Sequence, residues 1–284
     1  MNDVNSISKT RIDSERIRAD FPILSRKING KPLIYFDSGA TAQKPQQMID
    51  AVTDYYTRQN ANIHRGVHTL SQEITVAYEK ARISIQKHLN AAFAHEIIFT
   101  KGTTESICLV ASSFGKKFIS ARDEIIVSEM DHHSNILPWQ QLCEEKGAVL
   151  KVLHINEAGE LLVDELQQLL TNKTKLIALT HVSNTLGTIN PIKKIIQQAH
   201  AKNVAVLIDG AQAVPHMAVD VRDLDADFYC FSGHKLFGPT GVGVLYGKEK
   251  WLNAMPPYQV GGGTIKTVKL KKTEYADLPL KFEA

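Results

Sequence analysis

The sequence has few cysteines and no Cys-x-x-Cys pair. Its 284 residues include three cysteines, Cys108, Cys143 and Cys230, which lie far apart. An odd number of scattered cysteines argues against a disulfide-bonded framework and against a structural zinc site, and it fits a reducing compartment. Cys108 and Cys230 lie in apolar runs, so we expect both thiols to be buried and unreactive.

The chain also lacks the features of a secreted, membrane-bound or nucleic-acid-binding protein. Its first twenty residues are polar and charged, and no apolar run approaches the length that spans a membrane. The net charge is only +3, and the 33 lysines and arginines are dispersed. They form no basic stripe with interleaved aromatic residues. We therefore expect a cytoplasmic protein that binds neither nucleic acid nor membrane.

Short apolar runs alternate with longer amphipathic segments from residue 97 onward. The run pattern predicts seven strands, over Ile97–Thr100, Glu124–Ser128, Val149–Ile155, Leu176–His181, Ala205–Ile208, Phe228–Phe231 and Val242–Tyr246. Helices are predicted between the first five strands, over Thr104–Phe114, Ile136–Lys146, Leu162–Leu170 and Pro191–Lys202. Strands separated by helices of this length form βαβ units, so the pattern predicts an α/β fold with a mostly parallel sheet covered by helices.

Fewer elements are predicted outside this alternation. Residues 1–32 form an N-terminal segment, and Leu33–Phe36 is predicted to be a short strand. Pro45–Arg58 and Ser71–Leu89 carry apolar residues at helical spacing and are predicted to be helices. The periodicity is lost towards the C-terminus, except for a strand-like stretch over Pro279–Phe282.

Polar side chains follow several strands at the ends where open α/β sheets bind their ligands. Thr103 and Thr104 open a helix after the first strand of the sheet. They suit a phosphate, with a plain helix cap as the alternative. Asp209 and Gln212 follow the strand Ala205–Ile208. A carboxylate directly after a buried strand needs a partner, which is either a protonated heterocycle nitrogen or an arginine or backbone amide.

Two further strands are followed by candidate ligand-binding residues. His132 and His133 follow the strand Glu124–Ser128. In an extended chain their side chains point opposite ways, which favours one stacking or hydrogen-bonding imidazole over a metal site. Asn184 follows the strand Leu176–His181 and either contacts a ligand or turns the chain. Together the strand ends supply a phosphate cradle, a flat ring, an acid and an amide.

Ser232, His234 and Lys235 follow the strand Phe228–Phe231. A lysine between a buried strand and a tight turn is poorly solvated, and desolvation lowers its pKa and frees the neutral amine that a Schiff base needs. An ordinary surface lysine is the alternative for this residue alone. With the other strand ends it completes the set of groups that pyridoxal 5′-phosphate (PLP) requires.

Nine stretches between residues 18 and 284 resemble the class V aminotransferase group of fold-type I PLP enzymes. They are RADFPIL, DSGATAQKP, NIHRGVHTLS, KGTTESIC, MDHHSNILPWQ, THVSNTLGTINP, IDGAQAV, DFYCFSGHKLFGPTGVGVLYGK, and GGGTI with the final FEA. Within that group they are similar to the SufS/CsdA-type (group II) cysteine desulfurases. The resemblance implies a PLP-binding large domain over residues 33–284, incomplete at its C-terminal end and without the small C-terminal domain.

The resemblance implies a role for each matching residue. Lys235 resembles the Schiff-base lysine, and Asp209 resembles the partner of the pyridinium nitrogen. Gln212 resembles the contact to the ring hydroxyl, and His132 the imidazole that stacks on the ring. The phosphate ligands implied are Thr103, Thr104, Ser232 and His234, and the residues implied near the substrate are Asn184 and His64. No metal is expected.

The implied reaction converts L-cysteine to L-alanine and passes the sulfur to an enzyme cysteine as a persulfide. A sulfur-acceptor protein, iron–sulfur cluster assembly and a homodimer are further expectations from the resemblance. A selenocysteine lyase acting on L-selenocysteine, or another PLP-dependent lyase of this fold, is an alternative. The family's nucleophilic cysteine and substrate-binding arginine lie in a C-terminal region that this chain does not reach. We therefore expect a truncated chain that is inactive in sulfur transfer, or a non-catalytic PLP-binding remnant.

Overall fold

The computed structural model describes residues 12–269 and 271–284. Its strands are β1 (Lys27–Ile28), β2 (Lys31–Pro32), β3 (Ile97–Thr100), β4 (Glu124–Ser128), β5 (Val149–Leu153), β6 (Thr174–Thr180), β7 (Ala205–Asp209), β8 (Phe228–Ser232), β9 (Gly243–Gly247), β10 (Ile265–Lys269) and β11 (Lys272–Tyr275). Its α-helices are α1 (Ser14–Ala19), α2 (Gln46–Asp54), α3 (Thr69–His88), α4 (Thr103–Phe118), α5 (Leu137–Lys146), α6 (Leu166–Leu169), α7 (Ile192–His200), α8 (Val221–Leu224) and α9 (Glu249–Ala254). Among the described helices, none combines the length and the hydropathy that a membrane crossing requires.

A seven-stranded sheet in the order β3-β9-β8-β7-β6-β4-β5 organises the fold. The five strands from β8 to β5 are parallel, whereas β9 is antiparallel to both β8 and β3. Residues 233–242 are too few for the helical crossover that a parallel neighbour of β8 would need. The parallel pairing of these five strands, with helices packed on both faces of the sheet, confirms the prediction of an α/β fold with a mostly parallel, helix-covered sheet.

Alternate residues of each central strand enter different apolar layers. In β7, Val206 and Ile208 pack in one layer, while Ala205 and Leu207 pack in the other. Helices α6 and α7 contribute to the first layer, and α4, α5 and α9 to the second. Because both faces of the sheet are covered, the central strands are apolar over most of their length, and the polar groups that reach a ligand stand at the strand ends.

Two predicted strands are wrong. Residues 33–36 pair with no strand in the described structure, and Ile34 and Phe36 are 74% and 97% exposed. Their apolar run predicted a strand, but strand pairing depends on a partner that a local pattern does not reveal. Near the C-terminus, Leu280–Phe282 forms a 3-10 turn with Phe282 buried in the second layer, rather than a strand.

Two elements near the C-terminus were not predicted. Helix α9 spans only six residues, and one of them, Leu252, is buried. The hairpin of β10 and β11 lies on the surface with most of its side chains exposed. Short elements with little burial carry no apolar periodicity, so the sequence gives no signal for them.

A buried arginine joins helix α3 to the end of the sequence. Arg82 is 1% exposed, and its guanidinium donates to both carboxylate oxygens of Glu283 at 2.7 and 2.8 Å and to the carbonyl of Ile97 at 2.6 Å. The same carboxylate accepts from the Phe99 N–H and the Tyr78 hydroxyl. A buried charge needs such partners, so this cluster fixes the last residues against edge strand β3.

We expect Glu283→Gln to lower the free energy of unfolding by roughly 2 kcal/mol, because the substitution removes one of the two carboxylates that pair with the buried guanidinium and leaves Glu79 as the other. Urea denaturation followed by circular dichroism measures the change. Lys193→Ala is the matched control, since the Lys193–Asp223 pair is exposed. That control should change stability by no more than about 0.5 kcal/mol. Equal free energies of unfolding for the two variants would contradict the stabilising role of the Arg82–Glu283 pair.

Candidate active site

A cavity of about 710 Å³ opens at the carboxyl ends of the parallel strands. The strand ends that reach it are Thr180 of β6, Asp209 of β7 and Ser232 of β8. The full lining comprises Phe36, Asp37, Gly39, Ala40, Thr103, Thr104, His132, Ser134, Thr180, Val182, Asn184, Asp209, Ala211, Gln212, Ser232, His234 and Lys235. Nine of the ten residues predicted from the sequence are in this lining.

His64 is the predicted residue that the structure does not bring to the cavity. Its Nε2 lies 3.5 Å from Glu79, and its ring packs edge-on against Tyr78 with 5.6 Å between the centroids. The backbone N–H of His64 donates to the Thr75 hydroxyl at 2.9 Å, and this hydrogen bond holds His64 against helix α3. The described geometry therefore associates His64 with α3 and not with the cavity lining.

Lys235 ends a 3-10 turn, Gly233–Lys235, that directly follows β8. The side chain is half-buried in the cavity wall. Burial lowers the pKa of its amine, and the negative charge of Asp209 opposes part of that shift. A lowered pKa makes the neutral, nucleophilic amine available at a lower pH than on a solvated lysine.

Asp209 is the last residue of β7 and is 4% exposed. The hydrogen bond described for its carboxylate comes from the Ala211 N–H to Oδ1, at 2.9 Å. Burial raises the pKa of this carboxyl group, and the Ala211 hydrogen bond and the charges of Lys235 and His132 oppose that shift. The carboxylate lines the cavity with few protein donors, so it is suited to a cationic N–H group of a ligand.

The turn after Asp209 packs closely against the aromatic ring of Tyr229. A Cβ atom at Gly210 would collide with the ring of Tyr229, so only glycine allows this close approach. The Tyr229 hydroxyl is in turn hydrogen-bonded to His181 Nδ1 at 2.8 Å, and both side chains are buried. Beyond the turn, Gln212 Nε2 donates to the Gly39 carbonyl at 2.7 Å.

The start of helix α4 forms another wall of the cavity. Thr103 is buried, and both its N–H and its hydroxyl lie 2.8 Å from Ser232 Oγ. Thr104 is exposed at the cavity. Gly102 occupies the N-cap position without a side-chain hydrogen bond, so the alternative of a threonine helix cap is wrong. The Thr103 N–H is thus bound to Ser232, and the other first-turn N–H groups, which lack intrahelical acceptors, suit an anion.

His132 is presented by a loop that a buried carboxylate organises. Asp131 accepts from the Ser128 N–H and hydroxyl at 2.8 and 2.6 Å and from Asn135 Nδ2 at 3.0 Å. Burial raises the pKa of Asp131 to about 7, against the effect of these hydrogen bonds. His132 Nδ1 lies 2.8 Å from the hydroxyl of Ser134, which orients the ring.

The adjacent histidines do not act as a pair. His133 is exposed and is not in the cavity lining, and its ring centroid lies 6.0 Å from that of His132. Across residues 12–269 and 271–284, no group of three or more His, Cys, Asp or Glu side chains is arranged to hold a metal ion.

None of the three cysteines lies in the described lining of the cavity. Cys143 and Cys230 are buried, and burial raises the pKa of both thiols, that of Cys143 to about 11. Cys108 is only half-buried, which corrects the expectation from its apolar run. On α4 its neighbours Ile107 and Leu109 point into the core, while Cys108 lies on the flank in a separate cavity beside α5.

Sequence reasoning missed the contribution of the loop over residues 36–44. Four of its residues line the cavity, and the loop also binds the turn that carries Lys235 through contacts spanning about 190 residues of sequence. No local signal in the sequence shows which distant element a loop contacts.

Comparison with known proteins places the chain in a family. Residues 34–284 match the model of the family described as aminotransferase class-V. A cysteine desulfurase of Dickeya dadantii (strain 3937) is 53% identical over 271 residues, which are 95% of this chain and 66% of that protein. A cysteine desulfurase of Enterobacter sp. (strain 638) is 52% identical over 271 residues, 95% of this chain and 67% of that protein. The chain thus spans about two thirds of the length of these relatives.

Solved structures are similar over most of the chain. The cysteine desulfurase CsdA (S-sulfonic acid) from Escherichia coli matches with a TM-score of 0.85 and 38% identity, over 95% of this chain and 66% of that one. The apo cysteine desulfurase from Thermococcus onnurineus NA1 matches with a TM-score of 0.89 and 38% identity, with the same two coverages. The family match, the curated relatives and these structures agree with the sequence motifs: the chain belongs to the aminotransferase class-V family and, within it, resembles the cysteine desulfurases.

Proposed function

We propose that residues 33–284 form the PLP-binding domain of a cysteine desulfurase, preceded by an N-terminal segment over residues 1–32. The observation that carries this proposal is the meeting of a buried carboxylate, Asp209, and a half-buried amine, Lys235, in one cavity. The identity of about 52% to curated cysteine desulfurases supports the same conclusion.

The cavity residues fit PLP by their chemistry. Asp209 would accept a hydrogen bond from the ring nitrogen, and a cationic partner there would lower the raised pKa of its carboxyl group. Gln212 would contact the ring hydroxyl, and His132 would stack on the ring. The candidate phosphate ligands are the first turn of α4 with Thr103 and Thr104, and the side chains of Ser232 and His234. When bound, PLP supplies an electron sink for negative charge at the α-carbon of an amino acid.

Lys235 has two tasks in this proposal. Its amine would hold the cofactor, and when free it would carry a proton to or from the substrate α-carbon. A lowered pKa suits both tasks, because an amine that exchanges protons near neutral pH must be partly neutral there. Asn184, which is exposed in the cavity lining, would contact the substrate.

The proposed reaction takes L-cysteine to L-alanine. A thiolate would attack the substrate sulfur and form a sulfur–sulfur bond as the carbon–sulfur bond breaks, so that the sulfur is retained as a persulfide. The carbon would keep the bonding electron pair and take up a proton to become the methyl group of alanine. Burial raises the pKa of Cys108, Cys143 and Cys230, and none lies in the described lining. The accepting thiol is therefore proposed to be a different one.

The wider setting is proposed from the same family resemblance. A sulfur-acceptor protein would take the persulfide sulfur towards iron–sulfur cluster assembly, and the functional unit would be a homodimer. Three cysteines without a disulfide among them fit a reducing compartment, so we propose a cytoplasmic location.

Incubation with PLP followed by borohydride reduction should attach one pyridoxyl group to Lys235. Peptide mass spectrometry identifies the modified residue. Lys235→Arg should abolish this adduct, because arginine keeps the charge but offers no neutral amine at working pH. Lys101→Arg is the control at an exposed lysine and should leave the adduct unchanged. A wild-type chain without an adduct at Lys235 would refute the PLP proposal.

Asp209→Asn should weaken PLP retention by roughly ten- to a hundredfold, the effect of losing a hydrogen bond to a charged group. It should also move the pH profile of adduct formation to lower pH. The charge of Asp209 raises the pKa of Lys235. Removing that charge therefore lowers the pKa of Lys235, and the neutral amine becomes available at a lower pH. Absorbance titration with PLP at several pH values measures both effects. The exposed Asp223→Asn serves as the control, and an unchanged profile in Asp209→Asn would contradict the assignment.

The PLP-loaded 284-residue chain should release no alanine from L-cysteine above a protein-free PLP blank, because no thiol is described in the cavity lining. Amino-acid analysis measures alanine, and mass spectrometry detects persulfides. Alanine together with a persulfide on Cys108, Cys143 or Cys230 would show that one of these thiols is the nucleophile. Alanine from L-selenocysteine alone would favour a selenocysteine lyase.

A further inference from the structure

One carbonyl oxygen next to Lys235 accepts hydrogen bonds from three donors of a single loop. The His234 carbonyl accepts from the Lys44 ammonium at 2.8 Å, the Ala42 N–H at 3.1 Å and the Thr41 hydroxyl at 3.3 Å. A carbonyl oxygen has two lone pairs, so three donors saturate it, and the charged donor makes the strongest bond.

This carbonyl belongs to the peptide unit that leads into Lys235. The turn Gly233–Lys235 has its own hydrogen bonds, from Leu236 N–H and Gly238 N–H to the Gly233 carbonyl at 2.9 and 2.8 Å. These bonds close the turn but do not hold the His234 carbonyl. The orientation of the peptide plane before Lys235 therefore depends on the loop that carries Lys44.

The same loop reaches across the cavity. The Gly39 carbonyl accepts from Gln212 Nε2 at 2.7 Å on one side, and the Thr41 hydroxyl contacts His234 Nδ1 at 3.1 Å on the other. Both the backbone and the ring of His234 are thus bound to this loop. Lys44 is not among the residues of the described cavity lining, so a change at Lys44 acts on the lysine-bearing turn through its contact with His234.

The charge of Lys44 has no acidic partner among the described ion pairs. Burial lowers the pKa of Lys44, and its ammonium is directed at the His234 carbonyl. The pKa of the His234 ring is lowered by burial and also by the charges of Lys235 and Lys44. The two lysines are the charged groups that act on this ring.

We propose that Lys44 is a positioning residue that, through the His234 carbonyl, fixes the backbone presenting Lys235 and keeps a positive charge beside the His234 ring. The proposal rests on the proposed function for the meaning of Lys235, but the contact itself is independent of any ligand. It identifies a residue outside the cavity that controls how the cofactor-anchoring turn is held.

Three variants of the full chain separate the hydrogen bond from the charge. Lys44→Arg keeps both, Lys44→Gln keeps a neutral donor, and Lys44→Met keeps only the apolar stem. PLP affinity, measured by absorbance titration, should fall by about tenfold or more in Lys44→Met, because a charge-assisted hydrogen bond is lost. Lys44→Gln should be intermediate, and Lys44→Arg should lie within about threefold of wild type. Wild-type affinity in Lys44→Met would overturn the proposal.

A second measurement needs no cofactor and tests the charge of Lys44, because Lys44→Gln and Lys44→Arg both keep a hydrogen-bond donor and differ in charge. The His234 ring is titrated by NMR in the ligand-free chain, with its signal assigned from His234→Gln. Its midpoint should rise in Lys44→Met and Lys44→Gln, which remove the nearby positive charge, and should stay unchanged in Lys44→Arg. Equal midpoints in Lys44→Gln and Lys44→Arg would overturn the electrostatic part of the proposal.

These two readouts also separate this proposal from the proposed function. A wild-type chain that forms no adduct with PLP would refute the function, while the His234 titration would still decide the role of the Lys44 charge. Circular dichroism melting curves verify that each variant is folded. If Lys44→Met does not fold, the comparison of Lys44→Gln with Lys44→Arg decides the proposal alone.

Discussion

The burial of opposite charges at the carboxyl edge of a fully covered sheet is the constraint on which the site depends. Asp209 ends β7 and Lys235 follows β8, and these two strands are direct neighbours. Burial raises the pKa of the acid and lowers the pKa of the amine, and each charge partly offsets the shift of the other. Helices on both faces exclude water from the strands, so only the strand ends can carry such groups.

Charged groups held in this way need a rigid surrounding, and the structure builds it from hydrogen-bonded loops. Asp131 organises the loop that presents His132, and the loop over residues 36–44 binds both Gln212 and the carbonyl of His234. In the turn after Asp209, the ring of Tyr229 lies so close to the backbone that position 210 must be glycine. The cavity is thus shaped by side chains that do not line it, which is how active sites hold their reactive groups in place.

The strands of the covered sheet were predictable because a buried strand appears in the sequence as a short run of apolar residues. The β4 strand was predicted with the bounds that the structure has, and β7 to within one residue. Prediction failed where an element depends on a distant partner or has little burial, as in residues 33–36, Leu280–Phe282 and the β10–β11 hairpin. Cys108 shows the same limit, because an apolar run on a helix does not bury every residue in it.

By itself, the sequence determined the α/β class, the family and nine of the residues that meet in one cavity, because strand ends and motifs are local features. Tertiary structure alone decided that His64 belongs with α3, that Cys108 lies outside the cavity, and that Lys44 binds the carbonyl before Lys235. Each of those outcomes depends on contacts between segments far apart in the chain. Such contacts are set by packing of the whole fold and leave no periodic trace in the sequence.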